Sequence, residues 1–337
     1  MKSKNSTIDP NRLYWIDGIR SFACLCVLLI HSPLPSSNKS DVMTYLVGAG
    51  ASVLFFMISG ALVLYKPKPF LPFIKQRLLR IALPMLLWTV VALIMMCLSG
   101  EVAWSELPTK FMLMPFTPQF GTYWFIYVIF GIYLLTPMIA TWLERCTRRD
   151  LEVVLAISAV AMIIPILSLV HKRFGQAMTY GNGSLYYFGG YLWVAMIGYY
   201  LRRYVNITRF KWWYIAVLAA ILLLPLLLVE CGVPIKTVLS RNSLNILLLT
   251  STYFVVIKHL HFSPTMKRIV YDFAQHSFGI YLVHQIINKF LLYPIITPLN
   301  LHNGLSISLV FVLNLILSYL IVHLLSKLPY SKYFVGL

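Results

Sequence analysis

The chain has 337 residues, 59% of them hydrophobic and only 11% charged, with a mean hydropathy of +0.78. That balance excludes a soluble globular domain and fits an all-α, polytopic integral membrane bundle, whose helices satisfy the backbone polar groups internally. The formal net charge of +18 would suggest a nucleic-acid partner in a soluble protein, so where the charges fall decides what they mean.

Residues 1–13 are polar and basic and read as a short lead. Ten apolar spans follow, at about 15–34, 44–65, 79–98, 122–142, 152–170, 185–201, 212–229, 243–258, 277–294 and 304–326. The sixth and eighth are short for a full crossing, so nine or eleven spans are alternatives. Asp17 and Arg20 inside the first run, and no small-residue cleavage pattern after it, favour an uncleaved helix over a signal peptide. With the amino terminus in the cytoplasm, 21 of the 28 Lys and Arg residues fall on the inner side or at inner helix ends and 7 outside. This places both termini, including the tail at 327–337, in the cytoplasm. The positive charge is mostly topology, dispersed over short loops, and nucleic-acid binding has little left to support it.

No internal repeat and no linker stands out, so residues 1–337 read as a single transmembrane domain. The longest loops, about 99–121 and 171–184, hold Gly, Pro, Trp and Tyr and suit structured caps over a cavity. The five cysteines, Cys24, Cys26, Cys97, Cys146 and Cys231, show neither paired spacing nor a metal pattern and read mainly as small apolar residues.

Three costly residues organise the first span. A helix turns about 100° per residue, so Asp17, Arg20 and His31 share one face, with Arg20 and His31 about 16 Å apart along the axis. Ionisable groups at such depth normally face a bundle interior and suggest a functional site. Asp17 and Arg20, at i and i+3, can instead neutralise each other as an anchor, which leaves His31 unexplained.

The run Trp15-Ile-Asp-Gly-Ile-Arg-Ser-Phe-Ala-Cys-Leu-Cys-Val-Leu-Leu-Ile-His31 sets an Arg, ten residues, then a His. Further along lie Phe55-Phe-Met-Ile-Ser-Gly60, Arg77-Leu-Leu-Arg80 with Pro84, Tyr123-Trp124-Phe125, Gly198 followed by Arg202, and Ser277-Phe-Gly-Ile-Tyr-Leu-Val-His284. Together, over residues 15 to about 290, these resemble the bacterial membrane acyltransferase-3 family, and are closest in flavour to members that O-acetylate surface polysaccharides such as O-antigen. The resemblance implies an O-acetyltransferase in the bacterial inner membrane, with acetyl-CoA as acyl donor, no bound cofactor and a glycan hydroxyl on the periplasmic side as acceptor.

Within that resemblance His31 is the candidate base, because neutral His is best matched to removing a hydroxyl proton near pH 7. Arg20 and Asp17 complete the catalytic stripe, with Arg20 below His31 on the donor's route. Lys75, Arg77 and Arg80 crowd the inner mouth, where Arg forks suit phosphate, although topology alone also predicts a basic loop there. Ser59 sits with Gly60 among small residues that most often permit close helix packing. Tyr123, Trp124 and Tyr127 fit an aromatic belt or a sugar-stacking surface. His284, with Gln285, Asn288 and Lys289, makes the ninth span polar; counted from Phe278 it lies about 9 Å inside the inner edge and need not touch His31. Asn314 and His323 read as packing and interface residues, and Glu230 as solvated. A glycan exporter or flippase would use the same stripe as a pathway, but its expected repeats are not visible. A scaffold gives the stripe no purpose.

Overall fold

In a computed structural model the described residues are 9, 11–34, 48, 50–170, 188, 190–207, 213–231, 238 and 243–336. Among them all regular structure is helical: α1 (Tyr14–Ile30), α2 (Ala51–Val63), α3 (Phe70–Arg77), α4 (Leu83–Leu98), α5 (Leu107–Leu113), α6 (Trp124–Arg145), α7 (Arg148–Val170), α8 (Tyr191–Tyr204), α9 (Trp213–Glu230), α10 (Leu244–Lys258), α11 (Pro264–Ile287), α12 (Tyr293–Ile296), α13 (Asn303–Ser326) and α14 (Lys332–Val335). Each expected span overlaps at least one of these helices, and several helices run past the expected ends. Four continuous stretches are long and apolar enough to cross a membrane: Phe70–Leu98, Gly121–Arg145, Pro264–Leu299 and Asn303–Ser326, with Ala51–Val63 and Leu244–Lys258 apolar but shorter. The expected loop at 171–184, the lead at 1–8 and the basic residues Lys39, Lys172, Arg173, Arg209, Lys211, Lys236 and Arg241 lie outside the described residues.

Local chemistry sets several helix starts. Ser263 caps α11, its hydroxyl accepting from Met266 N, and Pro264 takes the first helical position, where its missing N–H costs nothing. The helix therefore begins thirteen residues before the apolar run at 277, because Lys267, Arg268 and Asp272 mask its first turns from a hydropathy reading. Thr147 and Asp150 close a reciprocal box at the start of α7, each backbone N–H donating to the other's side chain at 3.1 Å. Between α3 and α4 the chain widens into a π turn, Leu78–Ala82, and a second, Asn288–Leu292, joins α11 to α12.

Contacts divide the chain into two compact units: residues 1–26, 41–67 and 138–273 form the first, and residues 27–40, 68–137 and 274–337 the second. In the first, α2 and α8 meet backbone to backbone. A Cβ on Gly60 would lie 1.8 Å from the Ala195 carbonyl oxygen, and one on Gly198 would lie 2.0 Å from that of Met57. Arg202 follows Gly198 on α8 and donates from Nη1 to the Ala61 carbonyl at 2.6 Å, with its guanidinium over Tyr65. Lys258, at the end of α10, donates to the carbonyls of Leu201, Arg202 and Val205, which the last turn of α8 leaves without helical partners.

In the second unit α14 is tucked against α4 and α11. Trp88 Nε1 donates to the Phe334 carbonyl at 2.8 Å, and Gly336, at φ 72°, lies so close to Phe278 that only glycine fits. Opposite, a Cβ on Gly279 would meet Val322 at 2.6 Å and Val335 at 3.1 Å, so α11, α13 and α14 share one dense contact.

Candidate active site

Fully buried polar side chains are expensive in an apolar bundle and persist only when hydrogen-bonded. In the second unit His284, Asn288, Asn314 and Ser318 are among them, each with no exposed surface. The side chains of Ser318, Asn314 and Asn288 form a connected chain, which meets His284 through its backbone carbonyl. Ser318 donates to Asn314 Oδ1 at 2.6 Å, and Asn314 Nδ2 donates to Asn288 Oδ1 at 2.6 Å and to the His284 carbonyl at 3.1 Å. Asn288 Nδ2 then donates to the His31 carbonyl at 2.7 Å.

The Tyr293 hydroxyl donates to that same His31 carbonyl. Residues five apart stand about 140° from one another on an α-helix, and could not both reach one atom on a single neighbour. The π turn at Asn288–Leu292, with its i to i+5 bonding, brings positions 288 and 293 to the same side. The wide turn thus fixes the last carbonyl of the α1 segment with two donors. Replacing Asn288 by Leu strands that arrangement: the Asn314 amide and part of the His31 carbonyl lose partners at about 1–3 kcal/mol each. Asn288→Leu is expected to lower stability by about 3 kcal/mol in thermal unfolding in detergent and to lower turnover with it; an unchanged midpoint would mean that the clamp is idle.

His31 is half-buried and its ring lies 5.3 Å, centroid to centroid, from that of His284, tilted by 48°. This corrects the depth counted from Phe278, which measured from a point well inside α11. His284 stands twenty residues beyond Pro264, about 30 Å along the helix, deep enough to meet His31. Its Nδ1 lies 2.7 Å from the Tyr281 carbonyl, which can only accept, so Nδ1 carries the proton and Nε2 the lone pair. Around the pair, Tyr123 is completely buried and donates its hydroxyl to the Leu282 carbonyl at 2.6 Å, while Tyr281 donates to Thr122 O. Tyr123 therefore ties the start of α6 to α11, and its burial removes it from any belt or sugar-stacking surface. Trp124 is half-buried beside Phe125, and Tyr127 donates to the Met114 carbonyl.

From Lys68 through α3 and the π turn that follows it, the second unit gathers cations. Arg77 is half-buried, its guanidinium 5.3 Å from the Phe73 ring and 5.2 Å from Tyr133, with a buried Nε that has no hydrogen-bond partner. Lys68 lies over the same Phe73 ring at 5.6 Å, and burial together with the nearby Arg77 charge pushes its ammonium below the ordinary lysine range. Arg80 is exposed and donates from Nε to the Gly336 carbonyl at 3.2 Å, and Lys75 is exposed.

The other expected residues lie in the first unit. Asp17 is buried, and both its oxygens accept from Arg12, from Nε at 2.7 Å and Nη2 at 2.9 Å; this bonding pushes the Arg12 guanidinium up. Arg12 in turn lies over Tyr271 at 4.2 Å. Arg20 is half-buried on α1. Ser59 is buried beside Gly60, in the close packing that its small neighbours suggested. The sequence reading gave Asn314 only a packing role and passed over Tyr293 and Lys68; the signal for Asn314 was an amide in the middle of an apolar run.

A family model for the acyltransferase domain matches residues 13–323, which takes in both histidines, the asparagine chain and the cationic turn. No match is found among curated proteins or among solved structures. A family match over that much of the chain settles its kinship: the protein is a membrane acyltransferase and belongs to acyltransferase family 3.

Proposed function

We propose that the protein moves an acetyl group from cytoplasmic acetyl-CoA to a hydroxyl of an extracytoplasmic surface glycan, in the bacterial inner membrane with both termini in the cytoplasm. The observation that carries this reading is the polar core around His31: a chain of buried hydrogen-bonding residues and a π turn grip the main-chain carbonyl of His31, just past the end of α1. In the reaction His31 accepts the hydroxyl proton as the sugar oxygen attacks the thioester carbonyl; the C–S bond then breaks and the proton leaves on the CoA thiol. The 21-to-7 distribution of basic residues supports the orientation, with a donor on one side and an acceptor on the other.

Arg77 and Lys68, two cations flanking one aromatic ring, favour an anion between or beside them, and the phosphates of the donor supply it. Lys75 and Arg80 extend that basic surface. Asp17 acts through Arg12 at the start of α1. Arg77→Gln is expected to raise the KM for acetyl-CoA about tenfold, the worth of one charge-assisted phosphate contact, while kcat stays within about threefold. Steady-state kinetics with purified protein in nanodiscs check it; a normal donor KM removes Arg77 from the donor site.

The function as a whole is tested by comparing surface polysaccharide, by mass and NMR, from cells with and without the gene product. An acetyl group present only in the first sample is the expected result and also names the acceptor position. Identical acetylation, together with no acetyl transfer from acetyl-CoA by the purified protein, would overturn the proposal in favour of a non-enzymatic role.

A further inference from the structure

His284 is a completely buried titratable group beside His31, and its bonding is lopsided. Nδ1–H is spent on the Tyr281 carbonyl, whereas Nε2, also buried, has no hydrogen-bond partner. Leaving a buried acceptor without a donor costs about 1–3 kcal/mol, so such an atom calls for an explanation. The neighbouring tyrosines do not supply one: Tyr123, Tyr281 and Tyr293 donate to the carbonyls of Leu282, Thr122 and His31, and Lys289 is paired with Glu101. Two rings lie against His284, that of Tyr281 at 5.7 Å, whose hydroxyl is spent on Thr122, and that of His31. An edge-on hydrogen bond of about 3 Å between two imidazoles sets their centroids roughly 5 Å apart, and the observed 5.3 Å is already that separation.

We propose that His284 is a positioning residue for His31, its Nε2 accepting the ring N–H of His31 so that the opposite nitrogen of His31 presents its lone pair to the acceptor hydroxyl. The inference rests on the acyl-transfer reading for its chemistry and on the geometry alone for the pairing. The Tyr281 carbonyl fixes the tautomer of His284, and His284 fixes that of His31, the orienting logic of a catalytic triad with a neutral third member. When His31 takes the hydroxyl proton both its nitrogens carry hydrogen, and the bond to Nε2 stabilises the resulting imidazolium; when the C–S bond breaks the proton passes to the departing thiolate. His284 neither gains nor loses a proton.

The test uses the full chain in nanodiscs with 15N-labelled histidine. The expected spectrum has His284 protonated at Nδ1 and pyridine-like at Nε2, with His31 titrating. In His284→Ala the His31 midpoint should fall by about one pH unit, because the charged form loses an acceptor, and His284→Gln, whose amide oxygen can accept, should restore most of it. In acetyl transfer, His284→Ala should lower kcat about 100-fold with the acetyl-CoA KM unchanged, and Gln should recover at least about tenfold. A wild-type His284 protonated at Nε2, or a His31 midpoint equal in all three proteins, would overturn the pairing. The tautomer reading needs no variant to fold. A shifted His31 midpoint in a protein that transfers no acetyl group would keep the pairing and remove the reaction instead.

Discussion

His31→Ala is expected to leave the protein folded and membrane-inserted, to leave acetyl-CoA binding within about twofold, and to reduce acetyl transfer by about a thousandfold or more. The size follows from what the imidazole is asked to do. A sugar hydroxyl is a poor nucleophile until its proton is removed, and general-base catalysis contributes about 10²–10⁴-fold on its own. The polar core then adds geometric precision, because the backbone of residue 31 is gripped by Asn288 and Tyr293. Those two bonds run to the main-chain carbonyl, so the substitution removes the base without removing the grip, and the fold has no reason to collapse. Acetyl content of the surface polysaccharide in a strain carrying only the variant, read by NMR, is the direct measurement. Wild-type acetylation in that strain would end the case for His31.

The second large effect concerns stability. Alanine is a better helix former than glycine by about 1 kcal/mol, so Gly60→Ala and Gly198→Ala would help an isolated α2 or α8. In the folded chain the added methyl carbon would sit at 1.8 Å or 2.0 Å from a carbonyl oxygen of the facing helix, and backbone cannot swing aside as a side chain can. The helices must separate, breaking the Arg202 bond to Ala61 and loosening the surrounding core. Overpacking of this kind typically costs about 1–3 kcal/mol, and contact with backbone belongs at or above the upper end. Each variant is therefore expected to lose about 3 kcal/mol in detergent unfolding, and the double variant less than twice that, since the first separation makes room for the second. A single variant as stable as wild type would show that α2 and α8 do not meet this closely.

The positions of the helices were legible because apolar runs dominate the chain, and His31 could be singled out because an ionisable group in such a run needs a reason. Ser59 and Gly60 were legible as packing residues from composition alone. What the sequence hid were pairings across the chain and departures from the 3.6-residue period. His284 could not be joined to His31 while α11 was taken to begin at 277, although Ser263-Pro264 carried the start signal. The shared reach of Asn288 and Tyr293 depends on a π turn, which no count at 100° per residue can reveal. Tyr123 looked like an interfacial aromatic, and only its complete burial and its bond to Leu282 give it an internal task.

The tucked end of the chain bears on the order in which the protein is made. Trp88 and Phe334 lie 246 residues apart in sequence, and Arg80 and Gly336 lie 256 apart. At about 5–20 residues per second, a ribosome needs roughly 12–50 seconds after making Trp88 to deliver its carbonyl partner. Throughout that interval α4 waits in the membrane without the segment that completes its neighbourhood. The unit that holds His31 and His284 thus stays without these two bonds until residues 334–336 have been made.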